Sequence, residues 1–350
     1  MYDFTQYDLI IDARSPREYQ EDHIPRAVNL PIVNNEEYEE VGIMHKTDPH
    51  RAYQIGAVYS LQNIARYFPE YIYPLDKSAK ILVYCFRGGK RSTAWFDPLK
   101  TIGYRVEKLT GGWKAYRRWV VAQLEFVSAR CRFNVLCGPT NCGKTRLLTA
   151  LKDVGAQVID LEEIAKHRGS VIGALPGVSQ PSQKFFESQL LDQLLNFDFS
   201  KPIWLESESQ KIGIRQIPMS FFEAMHRGVC FQIDTPMTER IRVCREDYQH
   251  FEQDPVWFLD RLQHLRPLVG GKEFDEWKAL ADTKKMPELF CRLMETHYDP
   301  AYGRSIPKHY PQITYAKKIN LPSVDIGSLQ LIAGDLHFGR DVENGVKILP

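Results

Sequence analysis

The chain has 350 residues, of which 43% are hydrophobic and 25% charged, and its formal net charge is +1. The length favours two globular domains, and the composition argues against a disordered chain and against a uniformly basic nucleic-acid binder. Seven cysteines without a repeated Cys-x-x-Cys framework fit a reducing compartment. The first residues lack a secretory signal and no apolar run is long enough to span a bilayer, so we expect a cytoplasmic protein that has no membrane contact.

Short apolar segments alternate with helical patterns over the first two thirds of the chain. They read "YDLIIDAR", "KILVYCF", "RFNVLCG", "AQVIDLE", "KPIWLES" and "GVCFQID", and this alternation is typical of α/β folds with parallel sheets covered by helices. The segment "VAQLEFVSAR" predicts a linking helix, so we divide the chain into domains 1–127 and 128–350. After about Asp234, longer helical patterns predict a helical C-terminal extension on the second domain.

The first chemical motif is a cysteine followed by glycines and basic residues, in "ILVYCFRGGKRSTAW" (81–95). A strand that ends at Cys85, a glycine-rich loop and a following helix would point amides and the positive end of a helix dipole at the thiol. Such surroundings favour the nucleophilic thiolate, and the basic neighbours would hold an anionic donor beside it. The predicted catalytic residues are Cys85 and Arg91, with Arg91 as a bidentate donor to the anion, and the other residues predicted to bind that anion are Arg87, Gly88, Gly89, Lys90 and Ser92.

Two alternatives exist for this motif. A buried structural cysteine would also fit a strand end, since free cysteine is among the most buried residue types, although a core thiol has no use for so much positive charge. Five residues separate Cys85 from Arg91, and this spacing is shared with cysteine phosphatases. Hydrolysis of a phosphate ester therefore stays open for the loop taken alone.

The first domain resembles the rhodanese family. The resemblance rests on "IIDARSPREYQEDHIPRAVNLPI", on "CFRGGKRS" and on "LTGGWKAYR", with Arg26 at a surface-turn position where the family commonly has glycine. It implies a parallel α/β domain whose loop cysteine, Cys85, carries sulfur or selenium. The residues that match the family's first block are Asp12, Arg14, Glu18, Tyr19, His23, Ile24, Pro25 and Ala27.

The second chemical motif is a phosphate-binding loop in "FNVLCGPTNCGKTRLLTAL" (133–151), which reads strand, loop, helix. It meets the Gly-x-x-x-x-Gly-Lys-[Ser/Thr] pattern in the required context and predicts a P-loop NTPase-like domain. Backbone amides of such a loop cradle phosphates, the lysine neutralises their charge, and the threonine hydroxyl could ligate magnesium. The residues predicted to bind a diphosphate are Gly138, Thr140, Asn141, Gly143, Lys144 and Thr145.

Other polar residues near this loop allow two interpretations. Glu206 and Glu208 follow the strand in "PIWLESES", where Glu206 could act as the acid that positions metal or water, or both could lie at a solvated strand end. Cys142 lies within the phosphate loop, where we expect it to be incidental, because such loops work through backbone and lysine. Cys137 and Cys142 have no second pair at metal-ligand spacing, so we expect no zinc site.

Both motifs in one chain resemble the bacterial tRNA 2-selenouridine synthase family. The resemblance extends over nearly the whole chain through "EEVGIMHK", "DLEEIAKHRGSVIG", "QPSQKFFE", "LESESQKIG" and "YDPAYGRS". Asn141 stands where the family's phosphate loop usually has glycine, and asparagine tolerates left-handed backbone. Through the matching blocks, Arg168, Lys184 and Glu187 are implied as substrate-pocket residues, with Arg168 at the diphosphate.

This resemblance implies a transferase that works in two steps on the wobble uridine of tRNA. Geranyl diphosphate would alkylate the sulfur of 2-thiouridine at the phosphate loop, and Cys85, loaded from selenophosphate, would then deliver selenium and displace geranyl thiol. The implied co-substrates are geranyl diphosphate and selenophosphate, with magnesium as a further candidate. The implied partners are the tRNA anticodon arm and an enzyme that supplies selenophosphate.

A basic stretch supports the RNA partner locally. Residues 86–132 hold eleven Lys or Arg against three acids, with Trp113, Tyr116 and Trp119 interleaved, and such a stripe could hold phosphates and stack an exposed base. A merely solvated helix face is the alternative. For the whole chain, the alternative function is a rhodanese-type sulfurtransferase or cysteine phosphatase fused to a nucleotide-hydrolysing P-loop domain that acts on small molecules.

Overall fold

The computed structural model describes residues 2–169, 173, 177–247 and 253–339. These residues form two compact units. The first comprises the chain up to Phe126 together with Pro181–Leu195, and the second comprises Val127–Gln180 and the chain from Asn196 onward. The division therefore differs from the two continuous segments expected from sequence, because Pro181–Leu195 belongs to the first unit.

The first unit contains a four-stranded parallel sheet in the order β2-β1-β3-β4. Its strands are β1 (Leu9–Asp12), β2 (Val28–Asn29), β3 (Lys80–Tyr84) and β4 (Arg105–Lys108). Its helices, numbered in chain order, are α1 (Pro16–Glu21), α2 (Asn35–Thr47), α3 (Pro49–Tyr67), α4 (Lys90–Ile102), α5 (Gly112–Ser128) and α8 (Gln183–Leu195), with a π-helical turn at Phe68–Ile72. Every residue of β1 is buried, as expected for a central parallel strand covered on both faces.

The core of the first unit lies between the central strands and the helices that cover them. Ile11 and Val83 are paired across β1 and β3, and both are fully buried. Trp95 of α4 is also fully buried, and its Nε1 donates to the carbonyl oxygen of Leu30 at 2.9 Å, so its one polar group is satisfied. This packing holds the middle of α4 against the segment that follows β2.

Helix α8 packs within the first unit although it follows the phosphate loop in sequence. Asp22 is fully buried and accepts hydrogen bonds from Ser188 Oγ of α8 at 2.7 Å and from Trp113 Nε1 at 2.8 Å. Glu187 of α8 forms an ion pair with Arg117. Because α8 completes the hydrogen bonding of a buried carboxylate, it is an integral part of this unit.

The second unit contains a five-stranded parallel sheet in the order β11-β10-β5-β7-β6 and a separate antiparallel hairpin. The sheet strands are β5 (Phe133–Cys137), β6 (Gln157–Val158), β7 (Ile203–Glu206), β10 (Val229–Asp234) and β11 (Lys317–Asn320), and the hairpin is β8 (Lys211–Ile212) with β9 (Arg215–Gln216). Strands β5 and β7 are central, so the residues that follow them meet at the carboxyl edge of the sheet. That edge is where ligands bind in open α/β folds.

The helices of the second unit cover the sheet and continue into a helical C-terminal part. They are α6 (Lys144–Asp153), α7 (Leu161–Ala165), α9 (Met219–His226), α10 (Met237–Asp247), α11 (Pro255–Leu262), α12 (Arg266–Val269), α13 (Gly271–Asp282), α14 (Met286–Leu293), α15 (Asp299–His309) and α16 (Ile326–His337). Shorter turns span Gln263–Leu265, Met294–Tyr298 and Pro311–Tyr315. No helix in the described ranges is long and apolar enough to cross a membrane.

The predicted helical extension is present, and it has its own core. Residues from α11, α13 and α14 enclose Phe258, Trp277 and Phe290, which are each at most 2% exposed. One element differs from the expectation, because β11 returns to pair with β10 after the helices. Only Ile319 of its four residues is buried, so the segment lacks the apolar run that marks a strand.

Candidate functional site

Cys85 directly follows β3, and the loop after it is shaped by the start of α5. The amides of Trp113 and Lys114 donate to the carbonyl oxygens of Cys85 at 2.8 Å and Phe86 at 3.1 Å. A side chain at Gly112 would put its Cβ 2.2 Å from the Cys85 carbonyl oxygen, so only glycine permits this approach. The "LTGGW" block thus holds the carbonyl groups of the cysteine loop toward α5.

The thiol of Cys85 lies at the base of this loop. Its residue is 3% exposed, and Sγ is 3.4 Å from Ser92 Oγ. Burial by itself would raise the pKa of Cys85, but the Ser92 hydroxyl, the amides of Ser92 and Arg87, and the charge of Arg91 outweigh it and lower that pKa. A purely structural thiol has no such surroundings, so the geometry favours an enclosed, reactive sulfur that a small donor must enter the loop to reach.

Arg91 differs from its expected role as a free bidentate donor. Its guanidinium binds Glu18 through both terminal nitrogens, at 2.5 and 3.1 Å, and both side chains are about one-fifth exposed. Arg91 therefore places positive charge near Cys85 while its fork is occupied by a carboxylate. Glu18 was visible in sequence only as a family-motif residue, and nothing there indicated that it would hold Arg91.

The remaining residues of the predicted anion site surround the loop. Ser92 is buried and its hydroxyl donates to the carbonyl oxygen of Gly89 at 2.9 Å, whereas Arg87 and Lys90 are exposed. Gly88 has φ +73°, and a Cβ there would lie 3.0 Å from the Leu109 carbonyl oxygen. The structure thus brings all of these residues to one loop, with the exposed cations Arg87 and Lys90 at its surface.

The phosphate loop joins β5 to α6, as the sequence pattern predicts. A Cβ at Gly138 would lie 2.4 Å from Cys142 Sγ, so the fully buried Cys142 takes the space that a side chain would need. Asn141 has φ +61° and Gly143 has φ +91°, so both adopt left-handed backbone. Asparagine thus adopts a left-handed backbone at the position where the family pattern usually has glycine. Burial also raises the pKa of Cys142, which fits a packing role.

Lys144 is surrounded by carbonyl groups and acids. Its Nζ donates to the carbonyl oxygens of Gly138 at 2.9 Å and Pro139 at 3.2 Å. Burial lowers the pKa of Lys144, but Cys142 and the nearby carboxyl groups of Glu206, Glu208 and Glu162 reverse this and raise it. The ammonium therefore stays charged, as a diphosphate site requires.

Three glutamates, Glu162, Glu206 and Glu208, lie near the Lys144 ammonium. Glu206 is 6% exposed and is the last residue of β7, paired with Leu136 of β5, so the alternative of a solvated strand end is wrong for it. Burial and then the neighbouring carboxyl groups raise the pKa of Glu162 to about 10 and that of Glu208 to about 8. One ammonium cannot balance three carboxylates, so part of this cluster is protonated near neutral pH.

The other predicted residues of the second site are placed as follows. Thr145 is exposed at the start of α6, and its hydroxyl lowers the pKa of Glu206 in part, against the larger effect of burial. Arg168 donates to the carbonyl oxygen of Asp247 at 2.6 Å, and the Asp247 carboxylate also binds Arg146 of α6. The contact with diphosphate proposed for Arg168 remains a prediction.

The residues that bind the backbone carbonyl groups of the phosphate loop were not predicted from the sequence. Arg240 is 5% exposed, its Nε donates to the Thr140 carbonyl oxygen at 3.0 Å, and its terminal nitrogens bind Asp299 at 2.8 and 2.6 Å. Thr235 Oγ donates to the Cys142 carbonyl oxygen at 2.8 Å. The sequence signal for this pair was that Asp299 begins the "DPAYGRS" part of a matching block. Its partner, Arg240, lies far away in the sequence.

The aromatic residues expected to stack a base are placed differently. Trp113 is 7% exposed and Tyr116 is 1% exposed, so neither can offer a ring face to RNA. Trp119 packs against Tyr2, Phe4 and Tyr116. The interpretation of these three rings as a stacking surface was therefore wrong, because their helical spacing reflects the buried face of α5.

Comparisons with known proteins agree with both motifs. Residues 1–118 match the family model of the rhodanese-like domain, and residues 131–263 match that of the tRNA 2-selenouridine synthase AAA domain. The chain is 34% identical over 276 residues to a protein of Nitrosomonas europaea, covering 76% of this chain and 70% of that one. It is 31% identical over 339 residues to a protein of Hydrogenovibrio crunogenus, covering 88% and 91%. It is also 31% identical over 327 residues to a protein of Aeromonas salmonicida, covering 84% and 86%.

Each of these three relatives is named tRNA 2-selenouridine synthase. The similarity spans both units and most of each relative, and the cysteine loop and the phosphate loop are intact in the structure. From these findings we conclude that the chain belongs to the tRNA 2-selenouridine synthase family.

Proposed function

We propose that this chain is a tRNA-modifying transferase that converts 2-thiouridine at the wobble position to 2-selenouridine in two steps. The observation that carries the proposal is that one chain holds two glycine-containing loops with favourable surroundings for an anion, one around a thiol of lowered pKa and one around a charged lysine. The names of its relatives support tRNA as the substrate and selenouridine as the product. Geranyl diphosphate and selenophosphate are the co-substrates that fit these two sites.

The first step takes place at the phosphate loop. The C–O bond of geranyl diphosphate breaks, the sulfur of 2-thiouridine forms the new C–S bond, and diphosphate leaves with the electron pair while the base loses its N3 proton. Lys144 and the amides at the start of α6 stabilise the charge that develops on the leaving group. The Thr145 hydroxyl and Glu206 are oxygen donors that could hold Mg²⁺ beside the diphosphate.

Alkylation prepares the base for exchange. A thiocarbonyl expels sulfur poorly, whereas an S-alkyl pyrimidine is electrophilic at C2 and releases a thiol. Selenium then forms a bond to C2, and geranyl thiol leaves with a proton. N3 of the base takes up again the proton that it lost in the first step. The first step therefore supplies the leaving group that the second step requires.

The second step takes place at the Cys85 loop. Selenophosphate is an anion small enough to enter that loop, where the amides of Arg87 and Ser92 and the charge of Arg91 already favour negative charge at sulfur. Water cleaves the P–Se bond of selenophosphate and phosphate leaves, and the selenide attacks Cys85 held in a mixed disulfide with a small thiol, so that this thiol leaves and Cys85 carries a perselenide. The perselenide attacks C2 and displaces geranyl thiol, and the small thiol that then cleaves the S–Se bond restores the mixed disulfide. A cysteine-bound perselenide is more oxidised than a selenide, so release of 2-selenouridine also needs a small thiol as reductant. Selenophosphate reaches the loop from the enzyme that makes it.

Nucleoside mass spectrometry of tRNA tests this division of labour. We expect Cys85→Ala to accumulate S-geranyl-2-thiouridine without selenium, because only the second step needs the thiol. We expect Lys144→Ala to leave 2-thiouridine unchanged, because the diphosphate loses its counter-charge. Arrest of both variants at the same 2-thiouridine would refute the two-site scheme, and rapid turnover of an aryl phosphate or ATP without RNA would favour the small-molecule alternative.

A further inference from the structure

Helices α2 and α3 form a hairpin that neither step uses. Its first helix carries the "EEVGIMHK" block, and Asn63 of α3 ties the two helices by donating to Glu37 at 2.7 Å and to the Ile32 carbonyl oxygen at 3.1 Å. The His45 ring of α2 lies 5.4 Å from the Tyr53 ring of α3 between centroids, with Nε2 3.3 Å from the hydroxyl. These contacts give the hairpin a fixed geometry.

The hairpin presents two tyrosines to the basic residues that open α4. Lys90 Nζ lies 3.5 Å from the centroid of the Tyr53 ring, and the Arg91 guanidinium carbon lies 5.3 Å from the centroid of Tyr38. Tyr53 is 50% exposed and Tyr38 is 44% exposed. Lys90 and Arg91 directly follow the cysteine loop, so both rings lie beside that loop.

Aromatic rings next to cations form a surface suited to a nucleotide. Bases of unpaired nucleotides stack on tyrosine and arginine, and lysine or arginine binds the flanking phosphates. Three of the four acids of α2 have partners within the unit, Glu37 in Asn63, Glu39 in Arg17 and Glu40 in Tyr59, and the pair with Arg17 also offsets a carboxylate charge. The exposed cations Arg87 and Lys90 complete the charge complementarity with an RNA backbone.

We propose that Tyr38 and Tyr53 form the binding site that holds the wobble nucleotide of the tRNA at the Cys85 loop. The base stacks on these rings, and its flanking phosphates contact Lys90 and Arg87. The inference rests on the proposed function, which it deepens by naming the residues that present the alkylated base to the sulfur. It also explains why a rhodanese-like unit has this hairpin beside its reactive loop.

Equilibrium binding of a labelled RNA tests the proposal without requiring catalysis. The probes are an anticodon stem-loop that carries S-geranyl-2-thiouridine at the wobble position and the same stem-loop with an abasic wobble site. We expect Tyr53→Ala and Tyr38→Ala in the full chain each to weaken binding of the first probe about tenfold and to leave binding of the abasic probe unchanged. Tyr53→Phe should bind both probes as the unsubstituted chain does.

The control is Tyr73→Ala, because Tyr73 is 72% exposed in the same unit but follows the far end of α3. The helix rises about 21 Å from Tyr53 to its last residue. Thermal unfolding confirms that each variant folds, and selenium loading of Cys85 from selenophosphate without RNA tests the proposed function separately.

Equal losses of affinity for both probes, or no loss for either, would overturn the inference. Intact RNA binding with impaired selenium delivery from the supplying enzyme would also overturn it, by assigning the surface to a protein partner.

Discussion

At the scale of single residues, Glu162 and Glu163 are neighbours on α7 with opposite surroundings. Glu163 is exposed, whereas burial and the carboxyl groups of Glu206 and Glu208 raise the pKa of Glu162 to about 10. A carboxyl whose pKa is higher in the folded state than in the unfolded chain stabilises the fold below its unfolded pKa, near 4.5. That contribution is lost as the pH rises toward the folded pKa.

The resulting prediction concerns the pH dependence of stability. We expect the free energy of unfolding of the second unit to fall from the unfolded pKa, near 4.5, to about pH 10, at up to about 1.4 kcal/mol per pH unit for each such carboxyl. Glu162→Gln should flatten this fall, because an amide resembles the protonated acid, and Glu163→Gln should not change it. Urea unfolding over the pH series measures both, and equal slopes for the two variants would contradict the assignment.

Single positions also show what the sequence could and could not predict. Asn141 adopts the left-handed backbone expected of it, and Arg26 likewise has φ +70° at the turn where glycine is common in rhodaneses. Such positions are predictable because a local backbone rule governs them. The Arg91–Glu18 and Arg240–Asp299 pairs were not, because each joins residues that only the fold brings together.

At the scale of elements, α8 shows the limit of reading domains along the chain. Its "QPSQKFFE" block follows the phosphate loop in sequence, yet α8 packs in the first unit through Ser188 and Asp22. Strand β11 was missed for a related reason, since only one of its residues is buried. By contrast, β1, β3, β5 and β7 were predicted because buried central strands are continuous apolar runs.

The contact between α8 and Asp22 yields a prediction for stability. We expect Ser188→Ala to lower the free energy of unfolding of the first unit by about 1–3 kcal/mol, because the buried Asp22 carboxyl loses one of its two side-chain donors. Ser305→Ala, at an exposed serine of α15, serves as the control and should change stability little. Urea unfolding measures both, and equal stabilities would show that α8 contributes no buried hydrogen bond of consequence.

At the scale of the whole molecule, the chain passes between its two compact units at three points, after Phe126, Gln180 and Leu195. Neither unit therefore corresponds to one uninterrupted segment, because Pro181–Leu195, which contains α8, lies within the first unit. Each unit nevertheless contains one of the two loops predicted to bind an anion, so the two proposed steps need not share catalytic residues. Full-length variants that lack one step should then retain the other.

A transfer of tRNA between two variants tests this claim most directly. The tRNA is first treated with Cys85→Ala and geranyl diphosphate, purified, and then given to Lys144→Ala with selenophosphate and a thiol but without geranyl diphosphate. The account predicts that the second variant converts the S-geranylated nucleoside to 2-selenouridine and releases geranyl thiol, as seen by mass spectrometry. Persistence of the S-geranylated nucleoside, with a folded Lys144→Ala protein, would contradict it.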